Sequence, residues 1–233
     1  MMSGTTSGAA ADAVVPDGRR TRWEGHRRTR AVQLVDAAIA AVREHGPAVG
    51  MDDVAAAAGT SKAAVYRYFA DRRALYLAVC TRVSDYLIDQ LGAALREESD
   101  PRRRLAAAID AYLRVIEADP ELYRFVVHRP LADSAEATDP VRGLSALVGE
   151  HVATLIAAAL AEAGLPTAPA GPWGHGIVGM VRAAADHWLD HASAMTRRDL
   201  CDHLTDLAWS GLAGIVASAS RPDEPTASGR SRA

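Results

Sequence analysis

Apolar residues recur at helical spacing along most of the chain, and no segment alternates apolar and polar residues as a half-buried strand does. One apolar stripe lies between residues 26 and 45, and Gly46-Pro47 ends it. A second stripe lies within residues 141–164 and ends at the breaker segment 165–172. It consists of Leu144, Leu147, Val148, His151, Val152, Leu155, Ile156 and Ala159. The pattern predicts an all-α fold.

Turn and cap residues divide this pattern into about nine helices. After the first helix, short helices are predicted at 51–58 and 62–69, with Gly59 between them, and a long fourth helix begins at Arg72. Three helices within roughly fifty residues, with a glycine turn before the third, are typical of a helix-turn-helix. The later helices are predicted at 101–117, 120–129, 141–164, 173–191 and 197–218.

The two ends of the chain differ from its helical middle. Residues 1–22 and 221–233 are rich in small and polar residues without apolar periodicity, so both are predicted to be disordered tails. Between them we predict a head domain at 23–73 and a helical body at 74–220. Residues 131–139 are predicted to form a loop.

The net charge of −3 conceals an uneven distribution of charge along the chain. Residues 1–73 contain 11 basic and 8 acidic residues, whereas the remainder contains 15 basic and 21 acidic residues. A mildly basic head on an acidic body suits a chain that meets nucleic acid at one end.

Composition and the terminal sequence bear on the cellular compartment. Apolar runs such as 152–161 fall short of the about 20 residues that span a bilayer, and no secretory signal is evident, so a cytoplasmic protein without a membrane span is expected. Cys80 and Cys201 are too few for a disulfide framework and lack the spacing of a zinc site. We expect reduced thiols, no metal and no cofactor.

The segment 51–79, MDDVAAAAGTSKAAVYRYFADRRALYLAV, resembles the DNA-binding signature of the TetR/AcrR family. It has the family's apolar-acidic-acidic-apolar-Ala start, the Gly before the turn, the Ser-Lys pair, the Tyr-x-x-Phe end of the recognition helix and the apolar start of helix four. With the first helix, the resemblance covers roughly residues 26–80. It implies a transcriptional repressor, not an enzyme, with an N-terminal three-helix helix-turn-helix domain and a helical ligand-binding and dimerisation domain.

The start of the third helix is the expected DNA-contacting surface. A helix fits the major groove, where its first residues reach base edges while flanking donors bind phosphates. Thr60 and Ser61 have hydroxyls that can cap the helix and touch phosphate, and Lys62, Ala63 and Tyr66 are expected nearest the DNA.

Further contacts are expected from the end of this helix. The resemblance implies that residues at the Tyr66 and Tyr68 positions contact the DNA backbone, and Arg67 is expected to contact guanine or phosphate. Arg72 and Arg73 follow closely enough to bind phosphate. The opposite face is expected to join a small core formed by Leu34, Ile39, Val54, Val65 and Phe69.

The sequence departs from the family pattern in the same region. Gly50 stands where many members have Thr or Ser, so that phosphate contact is lost or left to the backbone amide. Ala63-Ala64 leaves few side chains that can read bases directly, and the operator sequence is not predicted.

An arginine cluster precedes the head. It is open to two interpretations, an arm that enters the minor groove or a solvated tail. Its members are Arg19, Arg20, Arg22, Arg27, Arg28 and Arg30.

The resemblance implies that the body dimerises through its last two helices and binds a small molecule. Small residues at helical spacing permit close contact with a second copy, although they can equally pack within one subunit; they are Gly176, Gly179, Ala183, Gly211 and Gly214. A dimer is expected to read an inverted repeat in double-stranded DNA, because one short recognition helix offers little surface.

Five residues of the central helices combine apolar surface with a few polar tips, as ligand pockets do. They are Tyr112, Tyr123, Phe125, His128 and His151. They predict a lipophilic or aromatic effector; the alternative for each is ordinary core or rim, and His151, on its apolar stripe, requires a polar partner if it is buried.

Two rival interpretations stay open. His187 and His191 share one helix face, as metal ligands can, but the sequence between them lacks the Glu of a zinc hydrolase and no third ligand is evident. A structural helical protein without DNA binding is the other rival, and salt-dependent binding to duplex DNA separates it from a regulator.

Overall fold

The computed structural model describes residues 18–127, 140–191 and 195–219, and within these ranges it contains helices and no strand. The all-α prediction is confirmed. The helices are α1 (Gly18–His45), α2 (Met51–Ala57), α3 (Lys62–Tyr66), α4 (Arg72–Glu97), α5 (Pro101–Ala118), α6 (Pro120–Val127), α7 (Pro140–Glu162), α8 (Ala170–Asp190) and α9 (Arg197–Ala219).

Local sequence determines where these helices begin and end. The Asp71 carboxylate accepts a hydrogen bond from the Ala74 amide at 2.7 Å and caps α4, and Asp100 does the same for α5. Gly46 follows α1 with a φ of 79°, a conformation that favours glycine. The Thr196 hydroxyl and Asp199 carboxylate are hydrogen-bonded at the start of α9.

Some bounds differ from those that the sequence predicts. Helix α1 begins at Gly18, so residues 18–22, predicted as part of a tail, are helical. Helix α8 begins at Ala170 because Pro172 is tolerated in a first turn. The remainder of both predicted tails and the predicted loop 131–139 lie outside the described residues.

The recognition helix is shorter than the predicted 62–69. It ends at Tyr66, and the Val65 carbonyl then accepts hydrogen bonds from the amides of Tyr68 and Phe69 at 3.0 and 3.1 Å. This turn still directs Phe69 into the core, where it is buried.

One apolar cluster holds the head together, and α6 is part of it. The predicted core residues of the head all belong to this cluster, which confirms that prediction; they are Leu34, Ile39, Val54, Val65 and Phe69. Leu122, Phe125 and Val126 of α6 belong to the same cluster. The Tyr76 hydroxyl of α4 donates to the Val126 carbonyl at 2.8 Å, and the Tyr76 and Phe125 rings lie 5.4 Å apart. The cluster therefore continues well beyond residue 73.

A second cluster joins α5, α8 and α9. Its buried members are Ile109, Leu113, Ile116, Val181, Ala185, Leu200, Cys201 and Leu204. Arg197 of α9 forms ion pairs with Asp110 and Glu117 of α5, the latter at 2.9 Å. These contacts fix α9 along α5.

Helices α7 and α8 approach closely at a pair of glycines. A Cβ added to Gly174 of α8 would lie 2.6 Å from both the Ala153 amide nitrogen and the Gly149 carbonyl oxygen of α7. The buried face of α7 therefore includes the small residues Gly149 and Ala153, followed by Ile156 and Leu160.

The stripe predicted on α7 is only partly the buried one. His151 is exposed, and the neighbouring Leu147 and Leu155 side chains are 58% and 41% exposed. The prediction followed the large apolar residues, whereas close backbone approach selects the face with the smallest side chains. His151 consequently needs no buried polar partner.

Helix α7 contains a segment that is long and apolar enough to cross a membrane. The segment Gly143–Glu162 has a mean hydropathy of 1.7, and 22% of it is buried. This segment is twice as long as the apolar run 152–161 from which the absence of a membrane span is predicted. One face of the segment packs on α8, and core helices share its length and composition.

We expect Gly174→Ala to lower the free energy of unfolding by about 1–3 kcal/mol, because the new methyl group overlaps backbone atoms that cannot move independently. Gly171→Ala is the matched control, since a Cβ there meets no atom within 4 Å. Urea denaturation of both variants measures the difference. Equal stability of the two variants would contradict the close packing of α7 on α8.

Candidate DNA-binding surface and ligand cavity

The turn before α3 and the burial of one face of α3 determine which residues are exposed. Gly59 has a φ of 59°, and the Ser61 hydroxyl caps α3 by accepting a hydrogen bond from the Ala64 amide at 3.2 Å. Val65 is fully buried. The opposite face, with Lys62 and Ala63, is exposed. The residues predicted to contact DNA near the helix start thus lie together at one surface, with Thr60 half-buried beside them.

Lys62 is held by a carboxylate on the neighbouring helix. Its ammonium group lies 2.8 Å from an Asp52 carboxylate oxygen, and both side chains are largely exposed. The hydrogen bond and the charge of Asp52 raise the pKa of Lys62, so the lysine stays protonated. A phosphate must therefore compete with Asp52 for this ammonium group.

The end of α3 presents aromatic and basic side chains to different degrees. Tyr66 is 42% exposed and Arg67 is exposed, whereas Tyr68 is half-buried against the head cluster. Tyr66 and Arg67 are thus exposed to solvent, as their predicted contacts with DNA require, and Tyr68 has a packing role.

Arg72 has an intramolecular role that the sequence did not reveal. One of its guanidinium nitrogens donates to the Val49 carbonyl at 2.6 Å and to the Ala48 carbonyl at 3.4 Å. Arg72 thereby ties the start of α4 to the α1–α2 connection. The nearby Gly50 amide donates to the Asp53 carboxylate at 2.7 Å, so that amide already has an acceptor.

The arginine cluster that precedes the head belongs to the N-terminal part of helix α1. Arg27 and Arg28 are exposed, and the Arg30 guanidinium donates to the Gln33 side chain at 2.9 Å. The side chains of residues 18–24 lie outside the described part of the structure. Both interpretations of this cluster, an arm that enters the minor groove and a solvated tail, stay open.

A cavity of about 790 Å³ lies between the head and the helices of the body. Six helices line it, namely α1, α4, α5, α6, α7 and α8. Most of the wall is aliphatic or aromatic, and Asp36, Ile39 and Arg43 of α1 form the part contributed by the head.

The predicted pocket residues separate into groups. Tyr112 and Tyr123 both line the cavity. Phe125 does not; it is buried in the head cluster against Tyr76, because α6 turns this face toward α4. His151 lies outside the cavity on the exposed face of α7, and His128 lies outside the described residues.

The two cavity tyrosines form a short hydrogen-bonded chain that ends on a carboxylate. The Tyr123 hydroxyl donates to Asp186 of α8 at 2.5 Å, and the hydroxyl oxygens of Tyr112 and Tyr123 lie 3.1 Å apart. Burial raises the pKa of Tyr112 to about 12 and also raises the pKa of Tyr123. Both phenols therefore keep their protons at neutral pH. Asp186 was missed because α8 shows no sequence feature that links it to Tyr123.

Arginines of the cavity wall are mostly paired. Arg43 forms an ion pair with Asp119 at 2.6 Å, and Arg82 lies 3.5 Å from Asp36. Arg114 pairs with Asp110. Arg182, by contrast, has no hydrogen bond or ion pair within the part of the chain that the structure describes.

The sequence matches two family models. Residues 34–79 match that for bacterial regulatory proteins of the tetR family, and residues 90–226 match that of the tetracyclin repressor-like C-terminal domain. An uncharacterized HTH-type transcriptional regulator of Mycobacterium tuberculosis is 36% identical over 207 residues, which cover 88% of this chain and 87% of that protein. This chain belongs to the TetR family.

A further relative and two solved structures are also similar to this chain. The transcriptional activator FasR of Mycolicibacterium smegmatis is 30% identical over 168 residues, covering 72% of this chain and 75% of FasR. A TetR-family regulator from Streptomyces coelicolor superposes with a TM-score of 0.65 at 22% identity, covering 83% of this chain and 84% of that chain. FadR from Bacillus subtilis, solved with stearoyl-CoA, has a TM-score of 0.65 at 16% identity, covering 77% and 98%.

Membership in the TetR family makes this protein a DNA-binding transcriptional regulator and not an enzyme. The rival interpretation as a purely structural protein is thereby excluded. The His187 and His191 rings do stack, with centroids 4.0 Å apart, and both residues are exposed. Within the described ranges, no third His, Cys, Asp or Glu joins them in a group that could hold a metal ion.

We expect Lys62→Ala to weaken binding to specific and random DNA alike and to reduce the slope of log K against log salt by up to about one, because one phosphate contact is lost. Arg103→Ala is the control, since it removes an exposed positive charge from the start of α5 in the body. Fluorescence anisotropy at several salt concentrations measures both quantities. An unchanged slope for Lys62→Ala would remove Lys62 from the DNA-binding surface.

Proposed function

We propose that this TetR-family regulator is a cytoplasmic homodimer that represses transcription from an inverted-repeat operator and is released by a small, largely apolar effector. One observation carries the proposal: Asp36, Ile39 and Arg43 of α1, a helix of the DNA-binding head, form part of the cavity wall. A molecule in the cavity therefore touches the head directly.

Helix α6 gives the cavity a second connection to the head. Leu122 and Val126 line the cavity and also belong to the head cluster, where Val126 accepts the hydrogen bond from Tyr76. Helix α4 begins beside α3 and reaches the cavity at Val83 and Leu87. A shift of either helix can tilt the recognition helix, as in other switches that move packed helices as rigid bodies.

The lining of the cavity favours an apolar effector. Aliphatic and aromatic side chains dominate the wall, and three of its four arginines are neutralised by aspartates. The structural neighbour FadR was solved with stearoyl-CoA, whose acyl chain is a long apolar group of the kind that such a lining favours. For the effector to release DNA it must bind the DNA-free geometry more tightly, typically by about 1–3 kcal/mol.

Exposed small residues support the homodimer. Gly176, Gly179 and Ala183 lie on the exposed side of α8, and Gly211 and Gly214 of α9 are exposed as well. Such faces let a second pair of helices approach closely. Two copies related by a twofold axis present two recognition helices, which matches an inverted repeat with half-sites about one helical turn apart.

We expect sedimentation velocity at micromolar protein concentration to give a dimer, and sequencing of genomic fragments retained by the protein to give an inverted repeat. A reporter fused to that repeat should rise in expression when the regulator gene is deleted. A fall in expression would identify an activator, the role that the name of FasR states. A monomer or an asymmetric footprint would contradict the twofold arrangement.

We expect cavity occupancy and DNA binding to oppose each other equally. In a panel of 1-decanol, decanoic acid and stearoyl-CoA, a compound that lowers operator affinity should lose the same factor of its own affinity when operator is added. Val115→Trp, which fills the cavity wall on α5, should abolish this response while DNA affinity is kept. His151→Leu is the control and should keep the response, since His151 lies outside the cavity. A response that survives Val115→Trp with native stability would place the effector elsewhere.

A further inference from the structure

The chain of hydroxyls at one side of the cavity has a fixed direction. A carboxylate accepts hydrogen bonds and has no proton to give. Since Tyr123 lies 2.5 Å from Asp186, the single proton of the Tyr123 hydroxyl is used in that bond. The 3.1 Å contact between the two tyrosine oxygens must then be donated by Tyr112.

This direction leaves a hydrogen-bond acceptor at the cavity wall. Tyr112 lines the cavity, its only hydroxyl proton points to Tyr123, and its oxygen retains lone pairs without a donor among the contacts of the described residues. The raised pKa of both phenols, caused first by burial, means that neither tyrosine becomes a charged acceptor near neutral pH.

A donor lies on the same wall. Arg182 lines the cavity one helical turn before Asp186 on α8, and its positive charge acts on Tyr112. Its guanidinium group carries five N–H donors and accepts nothing. The polar end of the cavity therefore combines the Tyr112 acceptor with an arginine donor.

We propose that the cavity selects an uncharged amphiphile whose polar group donates a hydrogen bond to the Tyr112 oxygen and accepts one from Arg182, that is, a molecule with a hydroxyl or amide group on an apolar body. This inference rests on the proposed effector function and names its ligand class. A carboxylate has acceptors only, so it satisfies Arg182 while its oxygens face the lone pairs of Tyr112. An ether or a tertiary amide likewise has no hydrogen-bond donor for the Tyr112 oxygen.

Two isomers test the donor requirement. The probes 1-decanol and 1-methoxynonane share one composition and nearly one size, but only the alcohol donates a hydrogen bond. Isothermal titration of the full-length protein gives the Kd ratio of ether to alcohol. We expect this ratio to be about 3- to 10-fold larger for the wild type than for Tyr112→Phe, as for one neutral hydrogen bond.

Two further variants separate a direct role of Tyr112 from the direction of the hydroxyl chain. Tyr123→Phe frees the Tyr112 proton, which can then be donated to the ligand, so 1-methoxynonane should bind more tightly than it binds the wild type. Tyr86→Phe removes a hydroxyl from another part of the cavity wall and should leave the ratio unchanged. Thermal denaturation and DNA affinity confirm that each variant is folded.

The outcomes separate this inference from the effector proposal. An equal Kd ratio in the wild type and Tyr112→Phe, or unchanged ether affinity in Tyr123→Phe, overturns the hydrogen-bond assignment and leaves the effector cavity standing. A different result overturns both proposals. If neither isomer binds to the wild type or to Val115→Trp, the cavity does not select this ligand class and does not bind an apolar effector.

Discussion

The burial of α6 against the head is the interaction on which the arrangement of the whole molecule depends. Phe125 and Val126 fill the cluster that also holds the buried face of the recognition helix, and Tyr76 fastens the α6 backbone with a buried hydrogen bond. Deleting side chains of this size from a core costs several kcal/mol. The head therefore cannot move freely relative to α6, and α6 carries Tyr123 into the cavity.

Because residues of the head form part of its lining, the cavity lies between the head and the body and is not confined to the body. An apolar ligand that presses on Leu122 displaces a residue that packs against the DNA-binding head. Dense cores transmit such displacements because they have few voids to absorb them. The Arg43–Asp119 ion pair crosses the same boundary, but its largely exposed arginine contributes little to the rigidity of the contact.

The sequence predicted the fold and the helix-turn-helix better than the lining of the cavity. The helix-turn-helix could be predicted because its motif is local: Gly59, Ser61, Val65 and Phe69 specify a turn, a cap and a buried face within a few residues. Pocket residues depend on which face each long helix turns inward. On α7 that choice was made by Gly149 and by Gly174 on another helix, and His151 was therefore assigned to the wrong face.

Polar contacts between residues far apart in the chain could not be predicted from the sequence either. Asp186 is 63 residues from Tyr123, and nothing in the apolar pattern connects them. The sequence predicts that Arg72 contacts phosphate. In the structure its guanidinium group donates hydrogen bonds to carbonyl groups 23 and 24 residues earlier in the chain. Tyr112 and Tyr123 could be predicted as cavity residues because each combines an apolar ring with a polar hydroxyl on a central helix.

The exposed apolar face of α7 links the stability of the chain to any molecule that binds there. Less than a quarter of Gly143–Glu162 is buried, and Leu147 and Leu155 meet water in the single chain. Whatever covers this surface stabilises the folded state by mass action, in proportion to the logarithm of its concentration. If the cover is a second copy, a cell that makes little of this protein holds a less stable regulator than a cell that makes much, and newly made single chains are the most exposed to proteolysis.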